Sequence, residues 1–111
     1  MEEKELLTNL ELKLRRGTLV LSVLSQLAQP RYGYSLVQRL ESKGVSIDPN
    51  TLYPLLRRLE KQGLLYSEWK TGGPKPRKYY RRTLLGDGIY AELKRQWRLM
   101  AAGMEELLKE E

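Results

Sequence analysis

The 111-residue sequence contains no cysteine and no histidine. Without cysteine there can be no disulfide framework, thiol nucleophile or cysteine-ligated zinc site. Without histidine the commonest general base and metal ligand are missing, and the carboxylates are scattered along the chain. We therefore expect neither an enzyme nor a bound metal or cofactor.

Long apolar runs are missing as well. The N-terminus reads MEEKELL, which is acidic and lacks an apolar core of signal-peptide length. Elsewhere the apolar runs are only a few residues, far below the roughly 20 that span a membrane. These features predict a soluble, cytoplasmic chain.

Positive charge is concentrated in the middle of the chain. The net charge is +6, from 20 Lys and Arg against 14 Asp and Glu. Residues 31–83 carry twelve of the positive and four of the negative side chains, whereas the segments before and after are close to neutral. This distribution predicts a basic face that meets a polyanion.

Apolar residues recur at helical spacing in the first three segments. The stretch EEKELLTNLELKLRRG has acidic residues early and basic residues late, the order that a helix dipole favours, and predicts a helix over 2–15. Gly17, Pro30 and Gly44 end three successive helical segments.

A fourth helix is predicted over 49–62. Asp48 is a favoured N-cap, and Pro49 suits the first helical position. Pro54 lies near the start, where it removes at most one backbone hydrogen bond. One face carries the core residues Leu52, Leu55, Leu56 and Leu59, and the opposite face carries Asn50, Pro54, Arg57 and Lys61.

After Gly63 the apolar period changes to two. The stretches LLYSEWK and RKYYRRT alternate and flank the turn-rich TGGPKP, which predicts a basic β-hairpin, the wing, over 65–83. The hairpin tyrosines and Trp69 are interpreted as core or cross-strand pairs rather than stacking platforms.

Residues 84–111 predict a long helix with an apolar seam close to a heptad. It would extend roughly 42 Å, against a radius of gyration of about 13 Å for a globule of this size. It must protrude, which predicts a homodimer that covers the seam. The residues predicted to form the dimer contact are Leu6, Leu10, Ile89, Leu93, Trp97, Met100, Met104 and Leu107.

Three core helices, of which the third is the helix over 49–62, followed by a basic hairpin are typical of a winged helix-turn-helix. We predict a mainly α fold with a small β-hairpin, in which residues 1–83 bind DNA through the recognition helix 49–62 and the wing. Residues 84–111 form the dimerisation helix. The residues predicted to contact DNA are Tyr34, Asn50, Thr51, Tyr53, Pro54, Arg57, Arg58, Lys61, Lys75, Arg77 and Lys78.

Linked motifs in the sequence resemble the PadR-like family of transcriptional regulators. They are RGTL, YGYSLVQRLE, NTLYPLLRRLEKQGLL, SEWKTGGPKPRKYYRRT and GIYAELKRQWRLM, in this order. The resemblance implies a dimeric winged-helix protein of the short subfamily with one C-terminal helix. It also implies a repressor, often released from its operator by a small aromatic or cationic ligand.

The last helix carries two further hypotheses. Trp97 resembles a tryptophan that sandwiches planar ligands across the dimer in some members of the family, and Met100 and Met104 would supply adaptable walls; alternatively, Trp97 only fills the dimer seam. The family pattern is broken by Gly86 and Gly88, which we interpret as a flexible joint before the dimerisation helix.

Two other functions are compatible with the sequence. A winged helix also serves as a protein-interaction module, and a basic surface also binds nucleic acid without sequence preference. The operator, the regulated genes, the effector and the choice between repression and activation do not follow from the sequence.

Overall fold

The computed structural model describes residues 2–111, which form five α-helices and three β-strands. In chain order these are α1 (Glu3–Arg16), α2 (Leu19–Ser25), β1 (Arg31–Tyr32), α3 (Gly33–Ser42), α4 (Pro49–Lys61), β2 (Leu65–Lys70), β3 (Arg77–Arg82) and α5 (Leu84–Leu108). The predicted helices over 2–15 and 49–62 lie within one residue of α1 and α4 at each end. The mainly helical fold with a basic hairpin and a long final helix is confirmed.

Glycine ends α3 and α4. Gly44 and Gly63 both have a φ of 82°, the left-handed conformation that glycine adopts at least cost. After the second of these turns, the Leu64 amide donates to the Leu59 carbonyl at 3.0 Å. The chain thereby reverses from α4 directly into β2, which fixes the position of the wing beside this helix.

The hydrophobic core lies between α2, α3, α4 and the inner side of the sheet. All four leucines predicted on the inner face of α4 are buried. The buried apolar residues are Val23, Leu24, Leu27, Leu36, Val37, Leu40, Ile47, Leu52, Leu55, Leu56, Leu59, Leu65 and Tyr80.

The sheet has three antiparallel strands in the order β1-β3-β2. The hairpin of β2 and β3 was predicted, but β1 was not: Arg31 pairs with Tyr80, and Tyr32 pairs with Tyr79. This two-residue strand ties the start of α3 to the wing.

The structure opposes a flexible joint at the start of α5. Thr83 caps the helix, since its side-chain oxygen accepts from the Gly86 amide at 3.0 Å, and its hydroxyl donates to the Gly63 carbonyl at 2.6 Å. Gly86 is buried, and a methyl group there would overlap the Leu64 carbonyl oxygen. Gly88 has open space around it. The contacts at Thr83 and Gly86 therefore hold the helix start firmly against the turn after α4.

The two terminal helices leave apolar surface uncovered. None of the α1 residues is buried, and Gly86 is the sole buried residue of α5. The described residues have principal extents of 56 × 35 × 24 Å and a radius of gyration of 16.4 Å, above the roughly 13 Å of a compact domain. The final helix protrudes from the core, as the sequence predicts.

Candidate nucleic-acid interface

The start of α4 is fixed by its own cap. The Asp48 carboxylate accepts a hydrogen bond from the Asn50 amide at 2.8 Å, and Pro49 occupies the first turn. Because Asp48 is the cap, Pro54 lies within the helix and cannot donate to the Asn50 carbonyl. This acceptor lies on an exposed residue, where water can satisfy it.

The outward face of α4 is free of core contacts. Asn50, Thr51, Pro54, Arg57, Arg58 and Lys61 are all exposed, and Tyr53 is 40% exposed. The Tyr53 ring rests on the backbone of α3: a methyl group at Gly33 would come within 2.6 Å of its Cζ atom. Tyr34, the next residue of α3, is exposed as well.

The wing holds its cations against tyrosine rings. Lys70 lies 4.6 Å from the Tyr79 centroid, and the Arg77 guanidinium lies 4.3 Å from the Tyr32 centroid. Such cation–π contacts restrain long side chains and are worth about 0.5–1 kcal/mol at exposed sites. The positive charges of the wing are therefore partly ordered without a partner.

An open cavity of about 340 Å³ lies where α4 meets the wing. Tyr53 and Arg57 line it from the helix, and Arg77 and Lys78 line it from β3. The two elements are joined by an ion pair of 3.5 Å between Lys78 and Glu60. The structure thus brings together four of the residues that the sequence nominated for DNA contact.

The other nominated residues are spread more widely over the surface. Tyr34, Asn50, Thr51, Pro54, Arg58, Lys61 and Lys75 do not line this cavity, although every one of them is exposed. Lys75 lies in the loop between β2 and β3, at the tip of the wing.

Two cations of the basic segment serve the fold. The Arg31 Nε atom donates to the Gln26 carbonyl, and burial, with a smaller effect from Arg39, lowers the pKa of Arg31. Arg82 donates to the Leu24 carbonyl and lies 2.8 Å from the Asp87 carboxylate. Neither side chain is available as a simple phosphate contact, so the outward charge of the segment is smaller than its composition suggests.

Sequence reasoning missed several aromatic residues that line the cavity. Trp69 was interpreted as a core or cross-strand residue; it does pair across the strands with Lys78, but at 64% exposed it is not in the core, and it also lines the cavity. Tyr32 and Tyr80 complete the aromatic lining. A period-two pattern shows which strand residues share a face, but it does not show which neighbouring helix or turn closes a cavity beside them.

Residues 2–111 contain neither a cluster of side chains able to hold a metal ion nor a helix long and apolar enough to cross a membrane.

A capped helix with an exposed polar face, packed beside a basic antiparallel wing, defines a winged helix-turn-helix of the DNA-binding type. Residues 20–92 match the model of the Transcriptional regulator PadR-like family. The chain belongs to this family and is a DNA-binding transcriptional regulator rather than an enzyme.

Individual relatives agree with this assignment. The chain is 38% identical over 79 residues to the transcriptional regulator Rv3488 of Mycobacterium tuberculosis. The matched residues make up 71% of this chain and 67% of that protein. A PadR family regulator from Eggerthella lenta, known from a crystal structure, is 53% identical, covers 95% of this chain and 94% of its own, and superposes with a TM-score of 0.87. A PadR-like regulator from Bacillus cereus is 28% identical, with coverages of 86% and 96% and a TM-score of 0.79.

Proposed function

We propose that this chain is a dimeric, sequence-specific repressor of the cytoplasm that a small aromatic or cationic ligand releases from DNA. The observation that carries the DNA-binding part is the convergence of α4 and the wing on one cationic surface, through Tyr53, Arg57, Arg77 and Lys78. Residues 1–83 would contact DNA, and residues 84–111 would pair two copies.

The two sets of DNA contacts have different roles. With α4 in the major groove, the exposed side chains of its first turns, Asn50, Thr51, Tyr53 and Pro54, are positioned for base edges and thymine methyl groups. The cations would hold phosphates, which position the protein without reading sequence. These cations are Arg57, Arg58 and Lys61 on α4 and Lys75, Arg77 and Lys78 on the wing. Tyr34, which is exposed at the start of α3, would be a further contact.

Duplex binding tests this arrangement. About six to ten neutralised phosphates give a slope of roughly −5 to −9 for log affinity against log salt concentration. Arg57→Ala should weaken binding to all sequences, whereas Asn50→Ala should relax preference at particular base pairs. Arg98→Ala, the same charge change on exposed α5, is the control. A slope near zero, or equal losses for Arg57→Ala and Arg98→Ala, would contradict the proposed interface.

Exposed apolar surface on α1 and α5 supports the dimer. On α1, Leu6 and Leu10 are 48% and 52% exposed. The α5 seam leaves Met100 70% and Leu107 63% exposed. Contiguous apolar surface of this kind marks an interaction site. The remaining seam residues are Ile89, Leu93, Trp97 and Met104, all at least partly exposed.

Sedimentation of matched variants tests the dimer. Met100→Lys places a charge in the seam, and Ala102→Lys places the same charge on another face of the exposed helix. We expect Met100→Lys to shift the protein towards monomer and Ala102→Lys to leave it dimeric. A wild-type monomer at micromolar concentration would refute the dimer.

The ligand part of the proposal rests on Trp97, which is 46% exposed in the single chain. Met100 and Met104 follow on the same seam and would form adaptable walls for a planar ligand between two copies. Titration of planar aromatic and cationic compounds into Trp69→Phe would report on Trp97 fluorescence alone. If no compound changes that fluorescence at sub-millimolar concentration, the seam is only a packing surface.

Repression and release can be tested together. Duplexes selected from genomic DNA should overlap promoter elements, because a bound dimer represses simply by covering them. Transcription from such a promoter should fall when the protein is added and recover when a bound ligand is added. Increased transcription in the presence of the protein would contradict repression.

A further inference from the structure

We propose that the cavity between α4 and the wing is a second effector site, which binds planar aromatic anions and thereby competes directly with DNA. Direct competition rests on the proposed function, because it requires that α4 and the wing form the DNA-binding surface. Binding of the anion itself does not. The site is separate from the α5 seam, since the cavity contains no residue of α5.

The walls of the cavity suit a flat apolar body. Four aromatic residues line it, Tyr32, Tyr53, Trp69 and Tyr80. Aromatic side chains prefer offset-stacked or edge-to-face contacts with other rings. A volume of about 340 Å³ lies within the range of small-molecule sites, roughly 300–1,000 Å³. A phosphate group alone would use neither this volume nor these rings.

The charge of the cavity selects an anion. Arg57, Arg77 and Lys78 contribute cationic groups, and no carboxylate among the described residues lines the cavity. A nearby carboxylate, Glu60, is held 3.5 Å from Lys78 and accepts a hydrogen bond from the Ser67 hydroxyl. Guanidinium groups bind carboxylates through paired hydrogen bonds, so an aromatic ring that bears a carboxylate matches both the walls and the charge.

Gly33 makes room for the Tyr53 wall. A methyl group on Gly33 would lie 2.6 Å from Cζ and 2.7 Å from the hydroxyl of Tyr53. These atoms are the far end of a movable side chain, so Gly33→Ala should fold while it displaces the ring. It is therefore a variant that alters the cavity without removing any charge.

The same side chains cannot serve the anion and the duplex at once. Tyr53 and Arg57 face the base edges and phosphates in the proposed DNA complex, and the two wing cations hold its backbone. An anion in the cavity would neutralise these cations and place a ring against Tyr53. Ligand and duplex should therefore exclude one another, with no conformational change required to transmit the effect.

The experiment uses naphthoate as the probe and amide NMR shifts of the full-length protein as the readout, without DNA. We expect saturable shifts at residues 32–33, 53 and 77–78 at sub-millimolar concentration, with little change at residues 97–104. Naphthamide, which keeps the ring but lacks the charge, should bind about tenfold more weakly because it loses a charge-assisted hydrogen bond. No shifts, equal affinity for the two compounds, or shifts confined to residues 97–104 would overturn the proposal.

Two arginines of β3 provide a matched pair. Both side chains are exposed, but Arg77 lines the cavity and Arg81 does not. Each lies over a tyrosine ring: the Arg77 guanidinium is 4.3 Å from the Tyr32 centroid, and the Arg81 guanidinium is 5.0 Å from the Tyr66 centroid. Arg77→Ala should weaken naphthoate binding by about tenfold. Gly33→Ala should also weaken it, because it displaces the Tyr53 ring, whereas Arg81→Ala should leave it unchanged. Equal effects of Arg77→Ala and Arg81→Ala would show non-specific charge attraction and refute a site.

Competition is measured separately, so that the two proposals can fail independently. Naphthoate should raise the apparent Kd for the duplex linearly with its free concentration, without reaching a plateau when the cavity is saturated. A ternary complex of protein, duplex and naphthoate would refute direct competition. If the duplex binds normally but naphthoate does not, the cavity proposal alone fails; if naphthoate shifts the cavity amides but no duplex is bound, the proposed function fails and the cavity site stands.

Discussion

Two glycines in the first turn and a half of α5 should respond in opposite ways to the same substitution. Gly86 is buried against the turn after α4, where a methyl group would overlap the Leu64 carbonyl oxygen and lie 3.0 Å from its carbon. Gly88 has no atom within 4 Å of the position that a methyl group would occupy. Gly86→Ala and Gly88→Ala therefore each add one methyl group to the same helix, the first in a crowded position and the second in open space.

The expected magnitudes follow from these contacts. Alanine is favoured over glycine in a helix by roughly 1 kcal/mol, so Gly88→Ala should stabilise the fold by about that amount. At Gly86 the same gain is opposed by overpacking against backbone, about 1–3 kcal/mol. Displacing the helix start also weakens the Thr83 cap, by about 1 kcal/mol. The net effect of Gly86→Ala is a loss of roughly 1–3 kcal/mol, so the two variants should differ by about 2–4 kcal/mol.

Urea unfolding followed by circular dichroism measures this difference. With a slope of about 2 kcal/mol per molar urea, the two midpoints should lie roughly 1–2 M apart. Both variants must be compared at one protein concentration, because the proposed dimerisation would make the midpoint depend on it. If the two variants were equally stable, the close approach of Gly86 to the Leu64 carbonyl would be refuted. The rigid joint between the turn after α4 and the start of α5 would be refuted with it.

Three further predictions concern single side chains. Asp48→Ala removes the cap of α4 and should lower the free energy of unfolding by about 1 kcal/mol, measured by thermal melting. Arg82→Ala removes the charged hydrogen bond to the Leu24 carbonyl, which keeps the Leu27 amide as a donor, and should cost roughly 1.5–3 kcal/mol. Arg81→Ala on the exposed side should cost less than about 0.5 kcal/mol; equal urea midpoints would contradict the inward role of Arg82. The hydrogen bond from Arg95 lowers the pKa of Glu92 from 4.5 to about 2, so this contact is fully present above pH 4.5 and is lost as the pH falls towards 2. Carboxyl NMR titration of Arg95→Ala should show this pKa rising towards its ordinary value.

The sequence predicts α4 well because its signals are local and agree. The cap at Asp48, Pro49 in the first turn and the leucine spacing all favour the same helix. Each acts within four residues, so no knowledge of the rest of the fold is required. The bounds of α4 therefore differ from the prediction by a single residue at the C-terminal end.

The third strand could not be predicted in this way. Arg31 and Tyr32 form a strand only because Tyr79 and Tyr80 pair with them from the wing. Two residues carry no periodicity, and a partner almost fifty positions away leaves no local signal. The inward role of Arg82 could not be predicted for the same reason, since its side-chain hydrogen-bond partners lie on α2 and α5. Arg82 counts towards the basic charge of the hairpin in the sequence, but its side chain is bound to the fold.

The sequence nominated the cations of the candidate site and one of its rings, Tyr53, but not the other three rings. Arg57, Arg77 and Lys78 could be nominated because charge on a helix or a wing faces solvent unless it is paired. Trp69 could not, because a large aromatic residue in an alternating strand is more often buried. Trp69 lines the cavity between α4 and the wing, which exists only after both elements have docked.

The N-terminal helix has a consequence for when the protein becomes active in a cell. It has 14 residues and buries none of them, and isolated helices of this length are marginal in water. If a second chain supplies the missing surface, part of the secondary structure appears only after two newly made molecules have met. For the proposed repressor, the first copies translated would then leave promoters untouched, and repression would begin only once enough protein had accumulated for dimers to form.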